Sequence, residues 1–245
     1  MKTYRGVLLD ADNTLFDYDR AEAEALEETF AQAIPDVPRE QAAEAYREIN
    51  ARYWKRFEQG SITAAGLQLG RWADLFHHLG RTGDPSTAAA TYVARLSTKS
   101  HFLPGASELV CNLARSARLC LVTNGLSRVQ RGRLAHSGIA GHFSAILISE
   151  ELGFAKPDPR FFAAACNALN LDAGELLCVG DNPVADIAGA RGAGIDACWF
   201  SSSGAPWPGP GDPPLHTVRA LSDVFHVVYP SRWFCYTAAP PEKHK

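Results

Sequence analysis

A chain of 245 residues, 46% hydrophobic and 21% charged, has an ordinary globular balance and the length for one large domain or a domain with an insertion. A formal net charge of −3 gives no reason to expect nucleic-acid polymer or an acidic membrane as partner, and Val7-Leu8-Leu9 is too short for a signal-peptide core or a membrane span. The six cysteines form no C-x-x-C pair, three of them (Cys120, Cys178 and Cys198) lie in apolar runs, and the eight histidines lack metal-ligand spacing, so a reduced, cytoplasmic protein is expected.

The first predicted strand, Gly6–Asp10, is an apolar run that ends in an aspartate, and Asp12 follows in the turn. Such runs mark strands buried on both faces of a parallel sheet, and ligands of open α/β sheets gather at their carboxyl ends. One carboxylate there suits a nucleophile or metal ligand, and a second one nearby can move protons.

From Phe16 to Thr98 the pattern turns helical, with helices predicted over Arg20–Ile34, Glu40–Gln59, Ala64–Leu79 and Ser86–Leu96. Turn signals at Pro35-Asp36-Val37-Pro38 and Gly80–Pro85 divide them. Of the aromatics Tyr53, Trp54, Phe57, Trp72 and Phe76, most are core residues by default, and one or two facing a cleft would stack a base or sugar. Arg52, Gln68 and Arg71 are polar positions on these helices, each either a ligand contact or part of a solvated face.

Strand and helix then alternate: helix Ala106–Ala114, strand Leu119–Thr123, helix Ser127–Ser137, strand Ala145–Ile148, helix Phe161–Asn167, strand Leu176–Gly180, helix Val184–Gly192 and strand Ala197–Phe200. Alternation of this kind implies βαβ units and a parallel sheet with helices on both faces. The first of these strands ends in Thr123-Asn124-Gly125, a neutral cradle suited to phosphate. Lys156 stands before a proline, and Gly180-Asp181 is followed by Asp186. Ser201–Pro214 should be an irregular loop, His216–Val228 a last helix, and the tail from Tyr229, with Trp233, Phe234 and Tyr236, a segment packed on its own domain.

Asp10-x-Asp12-x-Thr14, Thr123, Lys156 and Gly180-Asp181-x-x-x-x-Asp186, in this order, resemble the four motifs of the haloacid dehalogenase (HAD) superfamily over roughly residues 4–200. The resemblance implies an α/β, Rossmann-like parallel sheet core of residues 1–16 and 98–245, with an inserted helical-bundle cap of residues 17–97. Members that dehalogenate carbon or cleave phosphonates lack an acid at the position of Asp12, so its presence points to the phosphatase branch. Asp10–Phe16, Gln59-Gly60-Ser61-Ile62-Thr63, Leu67–Arg71 and Thr123-Asn124-Gly125 with Gln130-x-x-Arg133-Leu134 look like bacterial house-cleaning 5′-nucleotidases. The N-acylneuraminate-9-phosphatase group shares part of that pattern.

On this resemblance Asp10 is the nucleophile that forms an aspartyl-phosphate, Asp12 the general acid and base, and Lys156 with Thr123 and Asn124 the phosphate-binding group. Two carboxylates and a dianionic substrate need a cation. Asp10 and Asp181, with the backbone carbonyl of Asp12 and support from Asp186, are expected to hold Mg²⁺. The expected partner is a small phosphomonoester, first a nucleoside 5′-monophosphate, with a sugar phosphate or N-acylneuraminate 9-phosphate as the alternative. A monomer or weak homodimer is expected, and a non-catalytic protein on this fold would show a broken motif.

Overall fold

The computed structural model describes residues 2–230, so the expected packing of Trp233, Phe234 and Tyr236 lies outside the described residues. β1 (Gly6–Leu9) leads into α1 (Tyr18–Ala33), α2 (Arg39–Glu58), α3 (Ala64–His78) and α4 (Pro85–Leu96). Next come α5 (Ala106–Leu113), β2 (Arg118–Thr123), α6 (Ser127–Ser137), β3 (Ala145–Ile148), the single turn α7 (Ser149–Leu152) and α8 (Pro159–Leu169). β4 (Leu176–Gly180), a π-helical turn over Pro183–Ala188, α9 (Gly189–Gly192), β5 (Asp196–Phe200), β6 (His216–Val218) and α10 (Leu221–Val228) follow.

Side-chain caps fix where several helices begin, by satisfying N–H groups that the first turn leaves without partners. Asp17 accepts from Arg20 N–H at 3.0 Å ahead of α1, and Thr63 accepts from Gly66 N–H at 3.1 Å ahead of α3. Asp84 accepts from Ser86 and Thr87 N–H ahead of α4, and Asp158 from Arg160 N–H ahead of α8; in both helices a proline fills the first position.

All strands run parallel in the order β3-β2-β1-β4-β5-β6. The chain order reverses between β1 and β4, which is where doubly wound sheets open a crevice at their carboxyl edge. Alternate residues face opposite ways along a strand. Val7, Leu9, Leu119, Leu121, Leu177 and Val179 therefore pack with α5 and α10. Leu8, Cys120, Val122, Leu176 and Cys178 pack on the other side with Phe161, Phe162, Ile187 and Ala190. α1–α4 bury an apolar cluster of their own, in which the rings of Phe30, Tyr46, Trp72 and Tyr92 meet at centroid separations of 5.2–6.2 Å. Leu126 and Val129, at the start of α6, join that cluster.

Two predicted elements are corrected. His216–Val228 is not one helix: His216–Val218 forms β6, paired with β5 in the register Phe200↔Val218, and only Leu221–Val228 is helical. Val218 is buried as the helical spacing required, but as a strand residue, so the pattern fitted both geometries. Val184–Gly192 is helical but begins as a π-helical turn, in which Ile187 N–H reaches back five residues to the Asn182 carbonyl at 3.3 Å, while Asn182 Oδ1 caps the start by accepting from Val184 and Ala185 N–H. Cys120, Cys178 and Cys198 are buried free thiols. Among the described residues no helix is long and apolar enough to cross a membrane.

Leu8 is fully buried at the centre of the sheet, so Leu8→Ala should cost about 2–5 kcal/mol through lost transfer energy and a residual cavity. Urea unfolding of the pure protein measures this as a lower midpoint with an unchanged slope.

Candidate active site at the strand ends

The register brings the marked residues together. Leu9 pairs with Leu121 on one side and Val179 on the other, so Asp10 emerges between the ends of β2 and β4, its N–H donating to the Val179 carbonyl at 3.0 Å. Lys156 reaches the same point from the loop before α8 and is buried. Its ammonium donates to Asp10 Oδ1 at 2.7 Å, Asp186 Oδ1 at 2.6 Å and the Val122 carbonyl at 2.9 Å, which uses all three protons.

Asp181 completes the group: Asp10, Asp181 and Asp186 each offer a carboxylate oxygen within 4.8 Å of the others. Thr14, on the turn after β1, is fully buried, and its Oγ1 accepts from Asp181 N–H at 3.1 Å, tying the first turn to the last. Gly180 has to be glycine, because a Cβ there would lie 2.3 Å from Asp186 Cγ. Asp186 Oδ2 in turn accepts from Asn182 N–H at 3.0 Å.

Thr123 lines the cavity, and its buried hydroxyl has no hydrogen-bond partner among the described residues, which leaves it available to an anion. Asn124 lines the same cavity and has a second task. Its Nδ2 donates to the Lys156 carbonyl and its Oδ1 accepts from Lys156 N–H, both at 2.8 Å, so the side chain holds the lysine loop and keeps one amide proton outside that pair. Asp12 stands apart from the carboxylate group. Its oxygens accept from Gln130 Nε2 at 2.6 Å and from the guanidinium of Arg133.

Electrostatics follow from this crowding. Burial, then the charges of Asp186 and Asp181, push the Asp10 carboxyl well above the usual range against the opposing pull of Lys156. Asp181 is pushed up to about 7, by burial first and Asp186 second, with Lys156 opposing. Burial disfavours the charge on Lys156, but Asp10 and Asp186 outweigh it and raise its proton affinity. One ammonium does not balance three carboxylates. An all-oxygen donor set with surplus negative charge fits a hard divalent cation.

A cavity of about 300 Å³ opens above the group and is lined from the other side by α1–α4. Of the polar positions marked in the sequence, Arg71 lines it, and Arg52 and Gln68 do not; of the aromatics, Trp54 does. Trp72 and Phe76 are core residues of the helical layer. Arg71 is buried between the rings of Tyr92 and Tyr46, 4.8 and 5.7 Å away, and donates to Asn50 Oδ1 at 2.9 Å. Glu22 Oε1 accepts from the hydroxyls of Tyr18 at 3.0 Å and Tyr92 at 3.2 Å, and burial raises its proton affinity against those bonds. The sequence reading missed Glu22, Asn50 and Tyr92. Their signal was polar side chains on the same faces as the apolar helix stripe.

A family model described as a haloacid dehalogenase-like hydrolase matches residues 4–194. The pyrimidine 5′-nucleotidase PynA of Streptococcus pneumoniae is 34% identical, covering 81% of this chain and 84% of its own. The pyrimidine 5′-nucleotidase YjjG of Escherichia coli is 32% identical, over 89% of this chain and 95% of its own. The HAD-hydrolase YfnB of Bacillus subtilis is 32% identical over 93% of this chain and 97% of its own. The crystal structure of YfnB bound to magnesium matches with a TM-score of 0.82, covering 93% of this chain and 100% of that one.

The raised Asp181 carboxyl sets a pH dependence for the metal-free protein. A proton held more tightly in the folded state stabilises fully below about pH 4, and that contribution is lost as pH rises through about 7. Without divalent cation, thermal stability should therefore fall between about pH 5 and about pH 8. Mg²⁺ should raise the melting temperature more at the higher pH, and equal shifts at both would contradict the assignment of the acidic group as a cation site.

Proposed function

The chain belongs to the haloacid dehalogenase-like hydrolase family, and from that premise we propose that it is a Mg²⁺-dependent phosphomonoester hydrolase acting on nucleoside 5′-monophosphates, pyrimidine ones first. The observation that carries the reading is the group at the ends of β1 and β4. Lys156 sits among Asp10, Asp181 and Asp186, with Asp12 held separately beside the same cavity. In this reading residues 17–97 are a cap over a core of residues 1–16 and 98–245.

Asp10, Asp181 and Asp186, together with the backbone carbonyl of Asp12, would hold the cation. When bound, it neutralises the carboxylates and draws charge from the phosphoryl oxygens. The chain's own residues account for the steps. Lys156, fixed by Asp10 and Asp186, supplies a positive charge that faces the phosphoryl group, and the free Thr123 hydroxyl donates to one of its oxygens. A carboxylate oxygen of Asp10 forms a bond to phosphorus as the bond to the leaving oxygen breaks, and Asp12 gives that oxygen its proton. Asp12 then takes a proton from the water that attacks the aspartyl-phosphate, which frees Asp10 and releases inorganic phosphate.

Likeness to PynA and YjjG supports the nucleotide as substrate. So does the cavity, at the small end of ligand sites, lined by Trp54 as a stacking surface and by Arg71 and Asn50 as hydrogen-bonding groups. A sugar phosphate would share the chemistry and differ only at the cap.

Asp10→Asn should lower phosphate release by several powers of ten while changing thermal unfolding little. Retention of more than about a tenth of the rate would remove Asp10 as nucleophile. Chelation should stop turnover and Mg²⁺ should restore it. The substrate assignment is checked by kcat/KM for dUMP, dTMP, UMP and a purine monophosphate beside N-acetylneuraminate 9-phosphate and phosphoglycolate. A pyrimidine nucleotide is expected to lead; a non-nucleotide ahead of every nucleotide by about tenfold, about 1.4 kcal/mol, would leave only the phosphatase part standing.

A further inference from the structure

Asp12 lies on the turn after β1, and the side chains that hold it belong to another element. Both of its oxygens are taken by α6, from Gln130 and Arg133, which are three residues apart and so share one helix face. Arg133 is 0% exposed and Gln130 2%. A buried guanidinium is costly unless paired. This one is paired with a carboxylate that remains 23% exposed and lines the cavity. Gly125 makes the approach possible, since a Cβ there would lie 2.7 Å from Gln130 Nε2.

The other contacts of Arg133 lead to the chain crossings. Its Nε donates to the Lys99 carbonyl at 3.0 Å, and its guanidinium lies 4.7 Å from the ring centroid of Phe16 and 5.7 Å from that of Tyr18. Phe16 to Tyr18 is where the chain leaves the sheet for α1, and Lys99 is where it returns from α4. The two crossings are bonded to each other, Asp17 N–H to the His101 carbonyl and Leu103 N–H to the Leu15 carbonyl, each at 2.9 Å.

Resting on the reading of Asp12 as acid and base, we propose that Arg133 is a positioning residue that aims the Asp12 carboxylate at the leaving oxygen and ties that aim to the two crossings between α1–α4 and the sheet. Its planar fork lets one side chain serve Asp12 and the Lys99 carbonyl together, which a lysine ammonium on a flexible stem does less well.

The test uses the Mg²⁺-loaded full chain as wild type, Arg133→Gln, Arg133→Lys, Asp12→Asn and the Asp12→Asn/Arg133→Gln double variant. Each is checked for folding by thermal unfolding and assayed on dUMP and on p-nitrophenyl phosphate, whose leaving group needs little protonation. Arg133→Gln should lower kcat/KM on dUMP, which reports the step that expels the leaving group and not the shared hydrolysis of the aspartyl-phosphate, about 10- to 100-fold, and should cost less than about threefold in kcat/KM on the nitrophenyl ester. Arg133→Lys should recover part of the dUMP rate. In the Asp12→Asn background Arg133→Gln should add no further loss, because the two residues act as one unit. Unchanged dUMP kinetics in Arg133→Gln, equal losses of kcat/KM on both substrates, or a loss of kcat/KM that adds to that of Asp12→Asn overturns the proposal. Should Arg133→Gln fail to fold, Arg133→Lys keeps a buried charge while losing the planar fork, a loss of kcat/KM on dUMP larger than on the nitrophenyl ester is expected of it, and the same outcomes decide. Asp12→Asn is the separate control on the underlying reading: equal losses of kcat/KM on both substrates there would remove Asp12 as acid, and this proposal with it.

Discussion

The structure depends on one ammonium group. Lys156 allows Asp10 and Asp186 to be buried beside each other at the carboxyl edge of a sheet whose surroundings are otherwise apolar. Three anionic groups in such a place would repel one another and lack solvation, and burying unpaired charge is among the most costly things a fold can do. The lysine is therefore itself held with care. The Asn124 side chain pairs with its backbone from both sides, and the Val122 carbonyl takes its last proton. Gly180 belongs to the same constraint, because Asp186 packs where a side chain on β4 would end.

The acidic residues of the site divide into two environments. Asp10, Asp181 and Asp186 share the lysine and a surplus of negative charge, the setting for a cation and a phosphoryl group. Asp12 is set apart against Arg133 and Gln130. Two carboxylates two positions apart in the chain are thereby given different neighbours, a division that suits the proposed roles of nucleophile for one and proton carrier for the other. An acid at this position has a purpose where the leaving group departs as an alkoxide needing a proton, so the separate anchoring of Asp12 agrees with phosphomonoester chemistry.

Much of this was legible in the sequence where local pattern settles the matter. Apolar runs ending at Asp10, Thr123 and Gly180-Asp181 are strands, and strand ends in a parallel sheet share one edge. The four helices between Phe16 and Thr98 have boundaries within two residues of those expected, because Asp17, Thr63 and Asp84 are capping residues in place. Long-range pairing was not legible. Nothing local reveals that Asn124 serves Lys156, 32 residues on, or that Arg133 meets Asp12 across 121 residues. β6 was missed because Val218, Leu221 and Val224 are buried at a spacing that suits a helix, although the first of them is buried in a strand.

β1 has a partner on each side and a packed layer on each face, while the turn after it and the helices beyond have the cavity beside them. Backbone amides in such a central strand exchange with solvent only through openings close to global unfolding, whereas loops and peripheral helices open at lower cost. Asp10 is thus attached to a segment that breathes least, its own amide bonded to Val179. Fluctuations that admit a ligand and let a product out can occur in the helices and crossings around the cavity, leaving the Asp10 carboxylate, the proposed nucleophile, a fixed point about which the rest of the molecule moves.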